Sequence, residues 1–175
     1  MSEAGDLAVK KLIDDTRAEL AKIPREALSE QNRIDAAILT GQLDYWVFAI
    51  DELKESETNP IGYTGAIGDG IDPLVNRAFA PVEERMKSVL GRLKGVPTIV
   101  AVAKKRLKNP ALVHTEIAIQ QNQGLIGFIE KDLEEHFAKV PAMKDDLSTA
   151  AKAACRSLPC SHFTTVQPWA ASELK

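Results

Sequence analysis

The stretch LSEQNRIDAAILTGQLDYWVFAIDEL, residues 28–53, has the strongest helical pattern in the chain. Leu28 and Ser29 stand where a hydrophobic staple and an N-cap precede a helix. Beyond them, apolar residues recur every three or four positions in two series, which indicates a helix with two apolar faces. We therefore expect this helix to be covered on two sides and to be central in the fold. The two series are Ile34, Ile38, Gly41, Tyr45, Phe48 and Leu39, Leu43, Trp46, Ile50, Leu53.

Other segments share this spacing, and no segment shows a convincing two-residue alternation, which would indicate a strand. The glycine-rich stretch Tyr63–Ala78 is interpreted as a loop that leads into a short helix. Short, proline-marked connections favour antiparallel neighbours. The prediction is a single domain over residues 1–175, an all-α antiparallel bundle of about six helices. Helices are expected over residues 9–23, 81–95, 97–107, 110–137 and 147–158, and the fourth of these also has two apolar series.

The composition is that of an ordinary globular chain that favours helices. Of the 175 residues, 45% are apolar and only 5% are aromatic, a mixture more typical of helices than of sheets. The net charge of −3 gives no electrostatic argument for nucleic acid or a membrane surface as a partner. The apolar runs are too short to span a membrane, and the polar start Met1–Asp6 shows no secretory signal. The cytoplasm is therefore the default expectation for location.

Two histidine-containing pairs suggest a metal or acid–base site, but their spacing disfavours it. His114 and Glu116 are two residues apart, so on a helix their side chains point about 200° apart and cannot converge on one ion. That stretch is better interpreted as a helix start. Asp132 and His136, with Glu134-Glu135 between them, have the four-residue spacing that can bridge a metal ion. Because two ligands form an incomplete site, a surface pair near a helix end is the favoured interpretation.

Cysteine spacing also fails to define a metal site. Cys155, Cys160 and His162 form a Cys-x-x-x-x-Cys-x-His cluster. Zinc sites usually contain Cys-x-x-Cys and a second ligand pair elsewhere, and the sequence has no such pair. The chain also has no phosphate-binding P-loop, no Gly-x-Ser-x-Gly elbow and no His-x-x-x-His. We therefore interpret the two cysteines as lone thiols.

Three further features have structural explanations. The glycines of Gly65–Gly70 lack the order and the strand context of a dinucleotide loop, and indicate flexible linkage or close helix packing. The basic cluster Lys104–Lys108 stands at the end of a predicted helix, where the helix dipole stabilises cations. Tyr45, Trp46 and Phe48 are interpreted as core residues rather than as a ligand site. We predict no catalytic, cofactor-binding or metal-ligating residue in this chain.

Two stretches, NPALVHTEIAIQQ (residues 109–121) and FAPVEER (residues 79–85), are the most informative about relatives. Both resemble sequences of the bacterial family called domain of unknown function 885. The similarity continues over most of the chain, through Leu28–Asp35, Trp46–Asp51, Asn59-Pro60 and Trp169–Leu174.

The resemblance implies a helical portion of a longer protein. Members of the family resemble zinc metallopeptidases and have a His-Glu-x-x-Pro-Gly-His signature on a downstream helix, before which this chain ends. No catalytic residue of the family can therefore be placed on any position here. The resemblance implies an N-terminal portion that is truncated at both ends, so zinc is expected only in a full-length relative.

The leading functional hypothesis is a non-catalytic fragment with apolar surface that self-associates or packs against the missing catalytic portion. The alternative is a stand-alone helical module that binds another protein. A self-sufficient metalloenzyme is a third possibility, and it would require stoichiometric zinc, which the ligand count disfavours.

Overall fold

The computed structural model describes residues 2–158, and all the regular structure within that range is helical. The all-α prediction is therefore confirmed. The chain divides after residue 56 into two compact units, and the prediction of one domain over residues 1–175 stays a prediction. The helices are α1 (Glu3–Ala21), α2 (Glu30–Phe48), α3 (Glu55–Thr58), α4 (Ile61–Asn76), α5 (Val82–Arg106), α6 (Leu112–Gly127), α7 (Leu133–Phe137) and α8 (Lys144–Ser157).

The first unit is built on α1 and α2, which pack against each other. The predicted cap of α2 is confirmed, because Ser29 Oγ accepts a hydrogen bond of 3.2 Å from a backbone N–H in the first turn. Ile13 and Leu43 are the buried residues of α1 and α2. A π-helical turn over Ala49–Leu53 continues α2, and Lys54, with a left-handed φ of 50°, ends it.

Two ion pairs join α1 to α2 and its π-helical extension. Lys10 Nζ lies 2.9 Å from Asp51 Oδ1, and the Arg17 guanidinium pairs with the Asp44 carboxylate. These side chains are largely exposed, so each pair contributes about 0.2–1 kcal/mol to stability. Their main effect is to favour one register between the two helices.

The second unit has one apolar core formed by α4, α5 and α8, to which α6, α7 and the π-helical turn Phe128–Asp132 contribute. Neighbouring side chains from these elements exclude water along the length of α5. The central residues of this core include Ile71, Met86, Val89, Leu93, Ile129, Leu133, Leu147 and Ala154, each at most 1% exposed.

The loop predicted for the first part of Tyr63–Ala78 is wrong, because α4 is helical from Ile61 to Asn76. Tyr63, Ile67, Ile71 and Val75 follow one another at four-residue steps, and all four are buried. Each glycine within a helix costs about 1 kcal/mol relative to alanine. Burial of four large side chains, at roughly 1.5–3 kcal/mol each, outweighs that cost.

The predicted break between two helices at Gly95 and Pro97 is also wrong, since α5 is continuous from Val82 to Arg106. Proline lacks the N–H that would bond to the carbonyl four residues earlier, here that of Leu93. However, Leu93, Val96 and Val100 are buried on both sides of this position. The helix therefore continues because its packed face continues.

Arg85 closes the corner between α4 and α5. Its Nη1 donates to the carbonyl oxygens of Leu74 (2.7 Å) and Val75 (3.1 Å), in the last turn of α4. Its Nε donates to the carbonyl of Ala80 at 3.0 Å, in the connection. A single guanidinium thus satisfies carbonyl groups that the end of a helix leaves without partners.

Candidate functional site

The structure brings no metal site together in residues 2–158, where no group of three or more His, Cys, Asp or Glu side chains could hold an ion. His114 and Thr115 lie in the first turn of α6, and the Thr115 hydroxyl donates to the carbonyl of Ala111 at 3.1 Å. Glu116 follows them. The stretch is therefore at a helix start, as its spacing indicated.

The described members of the two other candidate groups lie in the second unit. Asp132 ends a π-helical turn, and His136 lies in the short helix α7. Cys155 is buried in α8. Cys160 and His162 lie outside the described residues, so the structure does not bear on that cluster.

The fold changes the proton affinity of His136. Partial burial lowers the pKa of His136 below its usual 6.5, and the nearby cations of Lys139 and Arg85 lower it further. The carboxylate of Glu135 opposes this effect and raises the pKa. The fold therefore favours the neutral imidazole.

Stability should decrease in acid because of His136. The unfolded chain binds a proton at this residue near pH 6.5, whereas the folded chain binds it only at lower pH, so acid favours unfolding. The contribution is fully present above pH 6.5 and is lost as the pH falls through the folded pKa. Urea titrations between pH 7.5 and 5 should show that the free energy of unfolding decreases less steeply with falling pH in His136→Gln than in the wild type. Equal slopes for the two proteins would contradict this prediction.

The basic cluster Lys104–Lys108 is partly engaged within the second unit. Arg106 is 8% exposed, and its Nη2 lies 3.8 Å from Oε1 of Glu57. Lys108 Nζ lies 3.3 Å from the other oxygen of that carboxylate. The sequence did not reveal Glu57 as a partner, because it is 49 residues away from Arg106 along the chain. The cluster anchors the end of α5 as well as complementing its dipole.

The glycines of Gly65–Gly70 lie inside α4, so they form no phosphate-binding loop. An added Cβ at Gly68 would meet no atom within 4 Å. Close packing against another part of the described chain does not explain this glycine.

The first unit has a shallow cleft between the end of α1 and the start of α2, with a volume of about 330 Å³. Its walls are mainly apolar, and its two charged groups are Arg25 and Arg17, of which Arg17 is already paired with Asp44. The cleft therefore lacks the convergent polar groups of a small-molecule site. Its lining is Arg17, Leu20, Ala21, Ile23, Arg25, Leu28, Ala36 and Thr40.

The most unusual surface is one face of α2, which we call the outer stripe (Ile34, Ile38, Gly41, Tyr45 and Phe48). Its side chains have exposed fractions of 49% for Ile34, 66% for Ile38, 50% for Tyr45 and 47% for Phe48. An added Cβ at Gly41 would meet no atom within 4 Å. In the second series of α2, Leu43 is buried, whereas Leu39, Trp46 and Leu53 are exposed. The expectation that α2 is covered on two sides is therefore wrong for the described residues.

The interpretation of the α2 aromatic residues as core is wrong as well. Tyr45, Trp46 and Phe48 are each close to half exposed. Spacing identifies an apolar face, but it does not say whether this chain or another one covers it. Contiguous exposed apolar surface of this kind typically marks an interaction site.

The two apolar series predicted over residues 110–137, in the second unit, differ in burial. Ile129, Leu133 and Phe137 of one apolar series are buried. Val113 and Ile117 of the other series are exposed. The described chain thus covers one of the two apolar series of this segment, whereas both predicted series of α2 are mostly exposed.

Among residues 2–158, every helix is too short or too polar to span a lipid bilayer. Over residues 1–175 the sequence matches the family described as bacterial protein of unknown function (DUF885). The chain belongs to this family. The two DUF885-like stretches have visible structural roles: Phe79–Arg85 contains the arginine of the α4–α5 corner, and Asn109–Gln121 starts α6.

The DUF885 chain is also similar to a solved structure described as "The structure of a putative lipoprotein of unknown function from Shewanella oneidensis". The two have a TM-score of 0.80 and 27% sequence identity. The match covers 89% of this chain and 29% of that chain, so this sequence spans less than a third of the length of the Shewanella protein. No curated protein matches the chain.

Proposed function

We propose that this DUF885 chain is a non-catalytic helical part of a longer protein and that it functions by packing against the rest of that protein. The outer stripe of α2 carries the proposal, since its apolar side chains are about half exposed. The Shewanella oneidensis structure supports it, because more than two thirds of that chain lies outside the match. By the family resemblance, the zinc-peptidase signature belongs to the remainder.

Packing against a remainder is testable with a chimera. In this chimera, the chain replaces the matched region of the Shewanella protein and is joined to the unmatched remainder. Limited proteolysis within residues 2–158 should be at least tenfold slower in the chimera than in the chain alone, because covered segments open less often. Equal cleavage rates would contradict the proposal.

The purified chain should bind far less than one equivalent of zinc. A catalytic zinc site needs three protein ligands, and the described residues contain no group of that size. The measurement is the zinc content by mass spectrometry after zinc loading and gel filtration. One equivalent that survives gel filtration would indicate a metal centre in this chain and count against a non-catalytic role.

The alternative function, a stand-alone module that binds a separate protein, draws on the same exposed stripe. It predicts equal proteolysis of the chimera and the chain, together with a monomeric chain that has no affinity for the remainder.

The cytoplasmic location expected from the sequence also stays a prediction. Cell fractionation would test it, and the lipoprotein description of the Shewanella structure makes the membrane fraction the informative comparison.

A further inference from the structure

We propose that the outer stripe of α2 is a seam for one helix from the remainder of a longer DUF885 chain, packed along α2 as in a coiled coil. This inference rests on the proposed function. It adds which face of the first unit is covered, and by what kind of element.

The spacing of the outer stripe indicates a helical occupant. Its residues follow one another at steps of four, three, four and three. Ile34, Gly41 and Phe48 occupy one position of a heptad, and Ile38 and Tyr45 occupy the other, as the a and d positions do in a coiled coil. At 100° per residue the five lie within a sector about 80° wide, and at 1.5 Å per residue they extend over about 21 Å. A straight seam of two heptads fits a neighbouring helix.

The charge pattern around the stripe is that of an interface core. Within the span of the stripe, the nearest residues on either side are Ala37, Gln42 and Asp44. The Asp44 carboxylate is paired with Arg17 of α1, and Asp35 points roughly 100° away from the centre of the stripe. Interface cores are depleted in charge and enriched in aromatic side chains, whereas solvated helix faces are rich in charge.

Gly41 leaves room for an occupant helix to approach closely. Glycine in the middle of a helix is unfavourable, and it occurs where another backbone or a ligand comes close. Nothing in the described chain occupies the space in front of Gly41. Ile38 and Tyr45 stand one turn before and after it, so an occupant helix would contact the α2 backbone between two large side chains.

The size of the seam favours a helix in the same polypeptide over a second copy of the chain. A surface about 21 Å long and about 10 Å wide, the diameter of a helix, is well below the roughly 800 Å² per partner of a stable complex. A helix in the same polypeptide needs less contact area, because its effective concentration is high. On the opposite side of α2, Leu43 is buried.

The test introduces charge into the seam, in the variant Ile38→Glu/Phe48→Glu. The matched control is Arg33→Glu, an exposed position on α2 about 100° from Ile34. In the chain alone both variants should leave the proteolysis rate within twofold of the wild type, because these side chains are in water. In the chimera, the seam variant should be cleaved within α1 and α2 at least tenfold faster than the wild-type chimera, and the control should not.

Amide hydrogen exchange of α2 provides a second measurement. The amides of α2 should exchange at least tenfold more slowly in the wild-type chimera than in the seam-variant chimera. Equal exchange in those two chimeras would overturn the proposal, and so would a chimera in which the seam and control variants behave alike. If the seam and control variants behave alike but the chimera is still cleaved more slowly than the chain alone, the proposed function stands and the seam proposal is wrong.

A second copy as occupant has a separate signature. Light scattering would then show a dimer of the chain at micromolar concentration, and the seam variant would convert it to a monomer while Arg33→Glu would not. That result would also overturn the proposal.

Discussion

Replacing Pro97 with alanine should raise the free energy of unfolding by about 2 kcal/mol. A proline in a helix interior costs about 3 kcal/mol, because it lacks one hydrogen bond and its ring crowds the carbonyl four residues earlier. Alanine would restore the bond to the carbonyl of Leu93. Part of the gain, about 0.4–1 kcal/mol, is offset because the unfolded chain becomes more flexible without proline. The measurement is urea unfolding followed by circular dichroism.

A matched control is Pro141→Ala. Pro141 begins a 3₁₀ turn before α8, where the fixed φ of proline is favourable and its missing N–H has no cost. This variant should be neutral or slightly less stable than the wild type. If residues 95–97 were a break between two helices, Pro97→Ala would resemble this control. A gain in stability for Pro97→Ala but not for Pro141→Ala would therefore indicate that α5 is continuous.

The sequence predicts helices best where the signal is local. Ser29 caps α2 as predicted, because the hydroxyl and the amide it accepts from are three residues apart. The errors at Gly65–Gly70 and Pro97 have one cause. Both carry local signals for a break, and in both places buried side chains at helical spacing outweigh the local preference. The four-residue spacing of Tyr63, Ile67, Ile71 and Val75 is by itself a sufficient signal for a helix over this stretch.

Burial was harder to predict than helicity. The outer stripe of α2 and the buried Leu43 have similar apolar character, and nothing within α2 distinguishes the covered side from the open one. Whether a helix face is covered depends on elements that are distant in sequence or outside this chain. Spacing did exclude a converging His114–Glu116 pair, because helix geometry alone decides that question. The pairing of Glu57 with Arg106 and the role of Arg85 depend on tertiary structure and were not predicted.

Replacing Arg85 with methionine should lower the free energy of unfolding by about 2–3 kcal/mol. The side chain retains most of its length, so the main loss is the guanidinium and its hydrogen bonds to Leu74, Val75 and Ala80. A hydrogen bond from a charged donor contributes about 1.5–3 kcal/mol, and the cation also stabilises the end of α4 through the helix dipole. Water can reach part of this half-buried corner, so the expected loss of stability is smaller than the sum of the contributions of the individual hydrogen bonds.

The controls separate charge from geometry at this corner. Arg85→Lys keeps the positive charge but cannot reach three carbonyls from one planar group, so its stability should fall between those of the wild type and Arg85→Met. Arg85 also lowers the pKa of His136. Proton NMR titration of the His136 ring should therefore give a higher pKa in Arg85→Met and a nearly unchanged one in Arg85→Lys. Stability and a His136 pKa that both match the wild type in Arg85→Met would show that the guanidinium does not hold this corner.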